Sequence, residues 1–197
     1  PPSPSLVTST KPAAVLMVLP GILLAMLKKH LEAPGRVFLL LRVIDKMGRG
    51  WLSIPNIRRH LTDKDSPWHV CGWRRLRQLL RQGEGIFWYR DSRDILWLKG
   101  QHRIAYTLDI ERLQGFPIEL PVETLLGGIQ AVRAAFYSSF HAGRKAAPIS
   151  RERLAHVSGV PERSQLAYDR IAGVKRRRNL AIGERYTAEN AQERAWK

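Results

Sequence analysis

The chain has 197 residues, of which 44% are hydrophobic and 25% are charged, as is ordinary for a soluble globular protein. Its 33 lysine and arginine residues exceed its 17 aspartate and glutamate residues, which gives a formal net charge of +16 and predicts a polyanionic partner. The single cysteine, Cys71, excludes an intramolecular disulfide and a zinc site made of cysteine thiolates.

The positive charge is spread along the whole chain. Residues 1–115 carry 19 basic and 9 acidic side chains, a net charge of +10, and residues 116–197 carry 14 and 8, a net charge of +6. One charged tail does not account for this distribution, so each half is expected to have its own anion-binding surface. The length allows one large domain or two small ones.

The N-terminal extension, residues 1–35, contains the apolar stretch Ala13–Leu27. This stretch is too short to span a bilayer as a helix, although its length also fits the core of a signal peptide. A helix is predicted to begin at Pro20, to reach about Glu32 and to end at Ala33-Pro34-Gly35. We expect it to pack on the first domain, and we expect no membrane partner.

A first domain is predicted over residues 36–112. Its first helix, Arg36–Met47, is apolar and ends at Gly48, and Trp51–Ile54 is predicted as a short strand. Ser53 is the expected N-cap of a second helix.

An arginine-rich helix is predicted next. Ser66 has the side chain of an N-cap and Pro67 suits the first helical position, so the helix is expected to begin there, to include Trp68–Gln82 and to end at Gly83. One face of it is cationic. The apolar residues of the other face are Val70, Trp73, Leu76 and Leu80.

A hairpin is predicted directly after this helix. Ile86–Arg90 and Ile95–Lys99 are short runs of strand-forming residues around the turn Asp91–Asp94. The resulting order of three helices and a hairpin, over about a third of the chain, resembles the winged helix-turn-helix superfamily. In that superfamily the third helix enters the DNA major groove and the hairpin, called the wing, touches the backbone. The resemblance implies that Trp68–Gln82 is the recognition helix. The DNA-binding residues predicted in this domain are Arg74, Arg75, Arg77, Arg81, Arg90 and Arg93.

Residues 113–121 contain one glycine and two prolines and are predicted as a linker. A second domain, with a helix-turn-helix and a basic wing, is predicted over residues 122–185. It is expected to begin with one long helix, Val122–Phe140, which Gly127-Gly128 weakens locally. Residues 186–197 are polar and are predicted to form a C-terminal tail.

The segment Ile149–Gly173 resembles the bacterial helix-turn-helix signature. Ser150 is a predicted N-cap, and Pro161 is expected to open a second helix that lasts to Ile171. The signature has a small residue where the helices cross, a glycine with a positive backbone angle in the turn, and an apolar residue after it. The residues at these places are Ala155, Gly159 and Val160.

One position of this segment departs from the signature. Gln165 stands where an apolar residue is preferred, so Tyr168 and Ile171 are expected to supply the core contact instead. The resemblance implies base or phosphate contacts near the start of the second helix, and a basic wing after it. The predicted DNA-binding residues are Arg163, Ser164, Gln165, Arg170, Lys175, Arg176, Arg177 and Arg178.

The fold class predicted from these elements is mainly α with small β-hairpins, in tandem winged-helix domains. No catalytic constellation is recognised: the six histidines form no His-x-x-x-His pair, and a glycine-rich phosphate loop is absent from the sequence. Five of the six tryptophans fall in the first domain, and most of them are predicted to be core residues.

We therefore expect a non-enzymatic protein without a cofactor that binds double-stranded DNA with some sequence preference, in the cytoplasm at the nucleoid. The tandem layout resembles plasmid replication initiators, and it also fits a transcriptional regulator or a protein that binds the ends of a mobile element. The alternative is a structural RNA-binding component of a ribonucleoprotein or an RNA-DNA assembly.

Overall fold

The structure is a computed structural model, and it describes residues 14–113, 115–142 and 149–175. Within these ranges the protein is mainly helical, with two small antiparallel sheets. The helices are α1 (Pro20–Lys28), α2 (Glu32–Ile44), α3 (Ile54–Thr62), α4 (Trp73–Gly83), α5 (Gln101–Thr107), α6 (Val122–Leu126), α7 (Ile129–Ser138), α8 (Arg151–Ser158) and α9 (Glu162–Ala172). The strands are β1 (Val15–Val18), β2 (Trp51–Ser53), β3 (Trp88–Arg90), β4 (Ile95–Leu98) and β5 (Ile118–Pro121).

The predicted helix boundary at Ala33-Pro34-Gly35 is wrong. The first helix, α1, ends at Lys28, and the three residues lie in the first turn of α2. Proline is tolerated there because the first-turn amides have no partner within the helix. Gly35 lets α1 approach closely, since a Cβ at this position would lie 2.5 Å from the Met26 sulfur.

A three-stranded sheet follows α2, in the order β2-β4-β3. The hairpin of β3 and β4 lies within the two runs predicted as strands, so this prediction is confirmed. Ser53 is the N-cap residue of α3, as predicted, although its side chain makes no capping hydrogen bond. The chain order α2, β2, α3, α4, β3, β4 thus places the edge strand β2 beside the second strand of the hairpin.

The arginine-rich helix begins later than the sequence predicts. Its first residue is Trp73, after the N-cap residue Gly72. Ser66 accepts a hydrogen bond from the Trp68 amide at 3.2 Å, and the Val70 amide bonds to the Leu61 carbonyl at 3.0 Å. These bonds satisfy backbone amides in a turn that packs against the end of α3. The helix therefore begins only after this turn.

The predicted linker, residues 113–121, contains the strand β5, which pairs with β1 from Val15↔Pro121 to Val18↔Ile118. The single long helix predicted after it is wrong, because α6 and α7 are separate helices. Gly127 and Gly128 both adopt extended backbone angles, and this breaks the helix between them.

Residues from both halves of the chain share one buried apolar cluster, which extends from Val18 to Val160. In this core α7 packs against α9, α1 and α2. Arg133 of α7 also pairs with the buried Glu32 of α2. The division into two domains stays a prediction. No helix in the described part of the chain is both long and apolar enough to cross a membrane.

Gly83 marks a close contact between α4 and the hairpin. A Cβ on Gly83 would lie 2.3 Å from Cζ2 of Trp88, whose indole is fully buried and donates to the Leu80 carbonyl at 3.0 Å. Because the indole is fixed, we expect Gly83→Ala to lower the free energy of unfolding by about 3 kcal/mol in urea titration.

Gly35→Ala is the matched control for Gly83→Ala. Its new Cβ would meet the flexible Met26 side chain, and alanine is the better helix former. We expect this variant to lower the free energy of unfolding by less than about 1 kcal/mol. Equal losses of stability in the two variants would contradict this account, because the Trp88 indole would then be able to move aside.

Candidate nucleic-acid interface

The exposed side of α4 carries a stripe of three arginines. Arg74, Arg77 and Arg81 recur at intervals of three and four residues, so they share one face of the helix. All three are exposed, and the opposite face buries Leu76, Leu79 and Leu80 in the core. We call these three residues the arginine stripe. Arg75 lies outside it, and its guanidinium donates to Gln78 Oε1 at 2.6 Å.

Trp73, the first residue of α4, contacts arginine side chains from two helices. The guanidinium of Arg77 lies 5.7 Å from its ring centroid, and that of Arg58 from α3 lies 5.1 Å from it. Such cation–π contacts are attractive and hold the guanidinium groups in place. The stripe is therefore extended by an arginine from the neighbouring helix.

Arg58 and Arg59 are not among the site residues predicted from the sequence, although the run Arg58-Arg59-His60 signals a cationic end of α3. Both arginines are exposed. Burial, together with the charges of Arg59 and Lys46, lowers the pKa of His60, so this imidazole is neutral at pH 7. A cleft of about 430 Å³ lies beside these residues. It is lined by Ile54, Pro55, Arg58, Arg59, Thr62, Asp63, Trp73 and Asp94.

The hairpin turn is organised by Asp91. Its carboxylate accepts hydrogen bonds from the amides of Arg93 at 2.8 Å and Ile95 at 3.0 Å, and from Trp97 Nε1 at 3.2 Å. The bonds from Ile95 and Trp97 lower the pKa of Asp91, so it is ionised at neutral pH.

The two arginines predicted on the wing differ in their surroundings. Arg90 forms an exposed ion pair with Asp94, with Nη2 and Oδ1 2.5 Å apart. Arg93 is exposed within the turn itself. Because Asp94 offsets the charge of Arg90, Arg93 is the stronger candidate for a phosphate contact.

The helix-turn-helix predicted downstream has the expected local geometry. Ser150 caps α8 by accepting from the Arg153 amide at 3.1 Å, and Gly159 has φ +71°. Val160 is buried after the turn, and Pro161 immediately precedes α9. The predictions for Ser150, Gly159 and Val160 are confirmed.

Gln165, predicted as a base contact, is instead a buried residue that joins the two helices. It is 1% exposed, and its Nε2 donates to the carbonyls of Arg151 at 2.9 Å and Val160 at 3.2 Å. The amide thereby fills the place where the signature has an apolar residue. A side chain held in this way cannot reach a base.

Of the two residues expected to supply the core contact of α9, only Tyr168 does so, with its ring centroid 5.9 Å from that of Tyr137. Ile171 is 52% exposed, so the prediction for it is wrong. Ile171 follows Tyr168 by three residues, so its side chain points in a different direction around the helix axis. It lies beyond the edge of the α9 surface that packs on α7.

The remaining predicted contacts of the second domain lie mostly on the outer side of α9. Arg163 and Arg170 are exposed seven residues apart, hence on one face, and Lys175 is exposed just beyond the helix. Ser164 is half-buried. Arg176, Arg177 and Arg178 lie outside the described residues, as does the rest of the predicted basic wing.

The side chains exposed on these surfaces are mainly cationic. Burial raises the pKa of the Cys71 thiol, which keeps it protonated at neutral pH and a poor nucleophile. Among the described residues no group of three or more His, Cys, Asp or Glu side chains is placed to hold a metal ion.

No protein-family model matches this chain, and no curated protein or solved structure matches it either.

Proposed function

We propose that the chain binds double-stranded DNA through a winged helix-turn-helix module made of α2, β2, α3, α4, β3 and β4. In this proposal α4 is the recognition helix and the β3–β4 hairpin is the wing. The observation that carries it is the arginine stripe, which lies on the third helix of a three-helix unit that leads into a hairpin.

The dimensions of α4 suit the major groove of B-DNA. A helix of 11 residues is about 16 Å long and, with its side chains, about 10–12 Å across, close to the groove width of about 12 Å. The three arginines of the stripe span two turns, so they reach successive base pairs. Arginine pairs bidentately with guanine, and this gives the proposed interface a preference for sequence.

The second helix-turn-helix, α8 and α9, is proposed as a further DNA contact through Arg163, Arg170 and Lys175. It packs on the first module through α1 and α7, so the two cationic helices belong to one body. Two linked contacts on one duplex raise the affinity through effective concentration. The proposed protein is non-enzymatic and acts at the nucleoid.

Three roles share this duplex-binding step: replication initiator, transcriptional regulator and binder of mobile-element ends. They differ in the sequence that is bound. Selection of preferred sites from a random duplex pool identifies that sequence and provides the ligand for the tests below.

Base reading by α4 is tested with Arg74→Ala. We expect about a 10-fold to 100-fold loss of affinity for the selected duplex, and a relaxed preference at one base position. The matched control is Arg103→Ala on α5, an exposed arginine outside the six elements of the module, which is expected to bind as the wild type does. Equal losses of Arg74→Ala on selected and random duplexes would contradict base reading.

Competition among duplex DNA, single-stranded DNA and structured RNA at fixed salt tests the class of partner. We expect duplex DNA to win. RNA binding at least about tenfold more tightly, a difference of about 1.4 kcal/mol, would overturn the proposal in favour of a structural role in a ribonucleoprotein.

A further inference from the structure

We propose that the outer face of the three-stranded sheet is a stacking site for an unpaired nucleobase of single-stranded nucleic acid. This site is separate from the arginine stripe and goes beyond the binding of duplex DNA. It is made of a row of three rings, Trp51, Trp97 and Tyr89, which we call the aromatic row.

The strand register creates the aromatic row. Trp51 of β2 and Tyr89 of β3 are both paired with Trp97 of the central strand β4. The centroid of the Trp97 ring lies 6.2 Å from that of Trp51 and 6.2 Å from that of Tyr89, and the planes of Tyr89 and Trp97 are within 8° of parallel. Neighbouring residues point to opposite faces of a sheet, and Leu52 and Leu96 are buried, so the row lies on the solvent side.

The row is open at one end and closed at the other. The Arg49 guanidinium lies over Trp51, 5.9 Å from its ring centroid. Tyr89, at the other end, belongs to the edge strand β3 and is 50% exposed. Contacts between the rings stabilise the sheet, but they leave the outer surface of Tyr89 free. A base that stacks on Tyr89 extends the row by one ring.

The aromatic row is held in place before a ligand arrives. Trp97 donates through Nε1 to Asp91, and the same carboxylate accepts the turn amides of Arg93 and Ile95. The central ring is thus anchored to the hairpin turn. A fixed ring loses little conformational entropy when a base stacks on it, which favours binding.

One cation contacts the row and two others belong to the same hairpin, and in this proposal they supply the attraction for phosphate. Arg49 lies at its closed end, Arg93 is exposed in the hairpin turn, and Lys99 follows Trp97 by two residues and donates to the Gly85 carbonyl. Exposed aromatic rings beside cations are the arrangement with which proteins bind single strands, because every base has a π-face to stack. Bases within a duplex are covered by their neighbours, so the ligand is an unpaired base, in DNA or in RNA.

Fluorescence anisotropy of labelled oligo(dT) and oligo(U) at fixed salt tests the proposal, and its two arms distinguish a DNA source from an RNA source. We expect the wild type to bind at least one of them, and Tyr89→Ala to bind that strand about tenfold more weakly. Tyr89→Phe keeps the ring and is expected to stay within about twofold of the wild type. Tyr106→Ala, which removes a tyrosine that is 86% exposed on α5, is the matched control and is expected to have no effect.

Duplex DNA binding measured on the same variants separates this proposal from the proposed function. Tyr89→Ala is expected to retain duplex affinity, because the Tyr89 side chain is not among the proposed duplex contacts and the fold that presents α4 is intact. The proposal is overturned if the wild type binds neither oligonucleotide, if Tyr89→Ala binds as the wild type does, or if single-strand and duplex affinities fall together. The last result would mean that Tyr89 acts only in the structure of the hairpin.

Discussion

Replacement of Arg133 by alanine is expected to lower the free energy of unfolding by about 3 kcal/mol, because it leaves a buried carboxylate without its partner. Arg133 approaches Glu32 with two groups: Nε lies 2.6 Å and Nη2 lies 2.5 Å from Glu32 Oε1. The Glu32 side chain is only 5% exposed while that of Arg133 is 37% exposed, so the expected loss lies at the lower end of the range for breaking a buried ion pair.

The position of this ion pair adds to its expected effect. Glu32 is the first residue of α2, and Arg133 lies in α7, so the pair joins the helix that begins the proposed winged helix to the helix that supports α9. Oε2 of Glu32 is buried, with no hydrogen-bond partner among the described residues. This carboxylate therefore depends on the contacts of its other oxygen and on the positive end of the α2 dipole.

Urea titration of Arg133→Ala, and of a cycle made of Arg133→Met, Glu32→Met and the double variant Glu32→Met/Arg133→Met, measures the cost of the lost partner and the coupling of the pair. We expect the double variant to recover most of the loss, since a buried ion pair is often replaceable by apolar side chains of similar volume. A loss below about 1 kcal/mol in Arg133→Ala, or a double variant less stable than both single variants, would contradict this account.

Gly159→Ala is also expected to cost about 3 kcal/mol of stability, for two reasons that add. The residue has φ +71°, a conformation that costs an alanine about 1–2 kcal/mol. The new Cβ would also lie 2.8 Å from Cα of Lys28 at the end of α1, where backbone cannot move aside easily. The clash would push the turn between α8 and α9 away from α1.

Gly173→Ala separates the two reasons. Gly173 follows α9 with φ +66°, and among the described residues nothing lies within 4 Å of a Cβ built on it. It therefore reports the cost of the backbone conformation alone, about 1–2 kcal/mol. Thermal or urea unfolding of both variants should show the larger loss for Gly159→Ala, and equal losses would mean that Lys28 yields at little cost.

Local sequence signals predict some parts of this fold well. The hairpin, the cap at Ser150 and the positive φ of Gly159 all follow from residue types whose preferences act over a few positions. The arginine stripe was also predictable, because cations at intervals of three and four residues define one helix face whatever the rest of the fold does.

Other parts depend on contacts between distant residues. The amides near Ser66 bond to the end of α3, which delays the start of α4, and the pairing of β1 with β5 joins residues about a hundred positions apart. Gln165 is polar, yet it is buried because two backbone carbonyls receive its amide. Arg58 lies beside the arginine stripe only because α3 packs next to Trp73. A pattern along one segment does not report such partners.

Two triple variants with the same net charge test most directly the claim that α4 is the DNA-binding helix. The measurement is the affinity of each variant for the selected duplex. One variant replaces the arginine stripe by alanines, and the other replaces three exposed arginines elsewhere, Arg42, Arg103 and Arg112. At fixed salt we predict a loss of at least about 100-fold for the first variant and less than about threefold for the second. Equal losses would contradict the claim, because the overall positive charge alone would then account for binding.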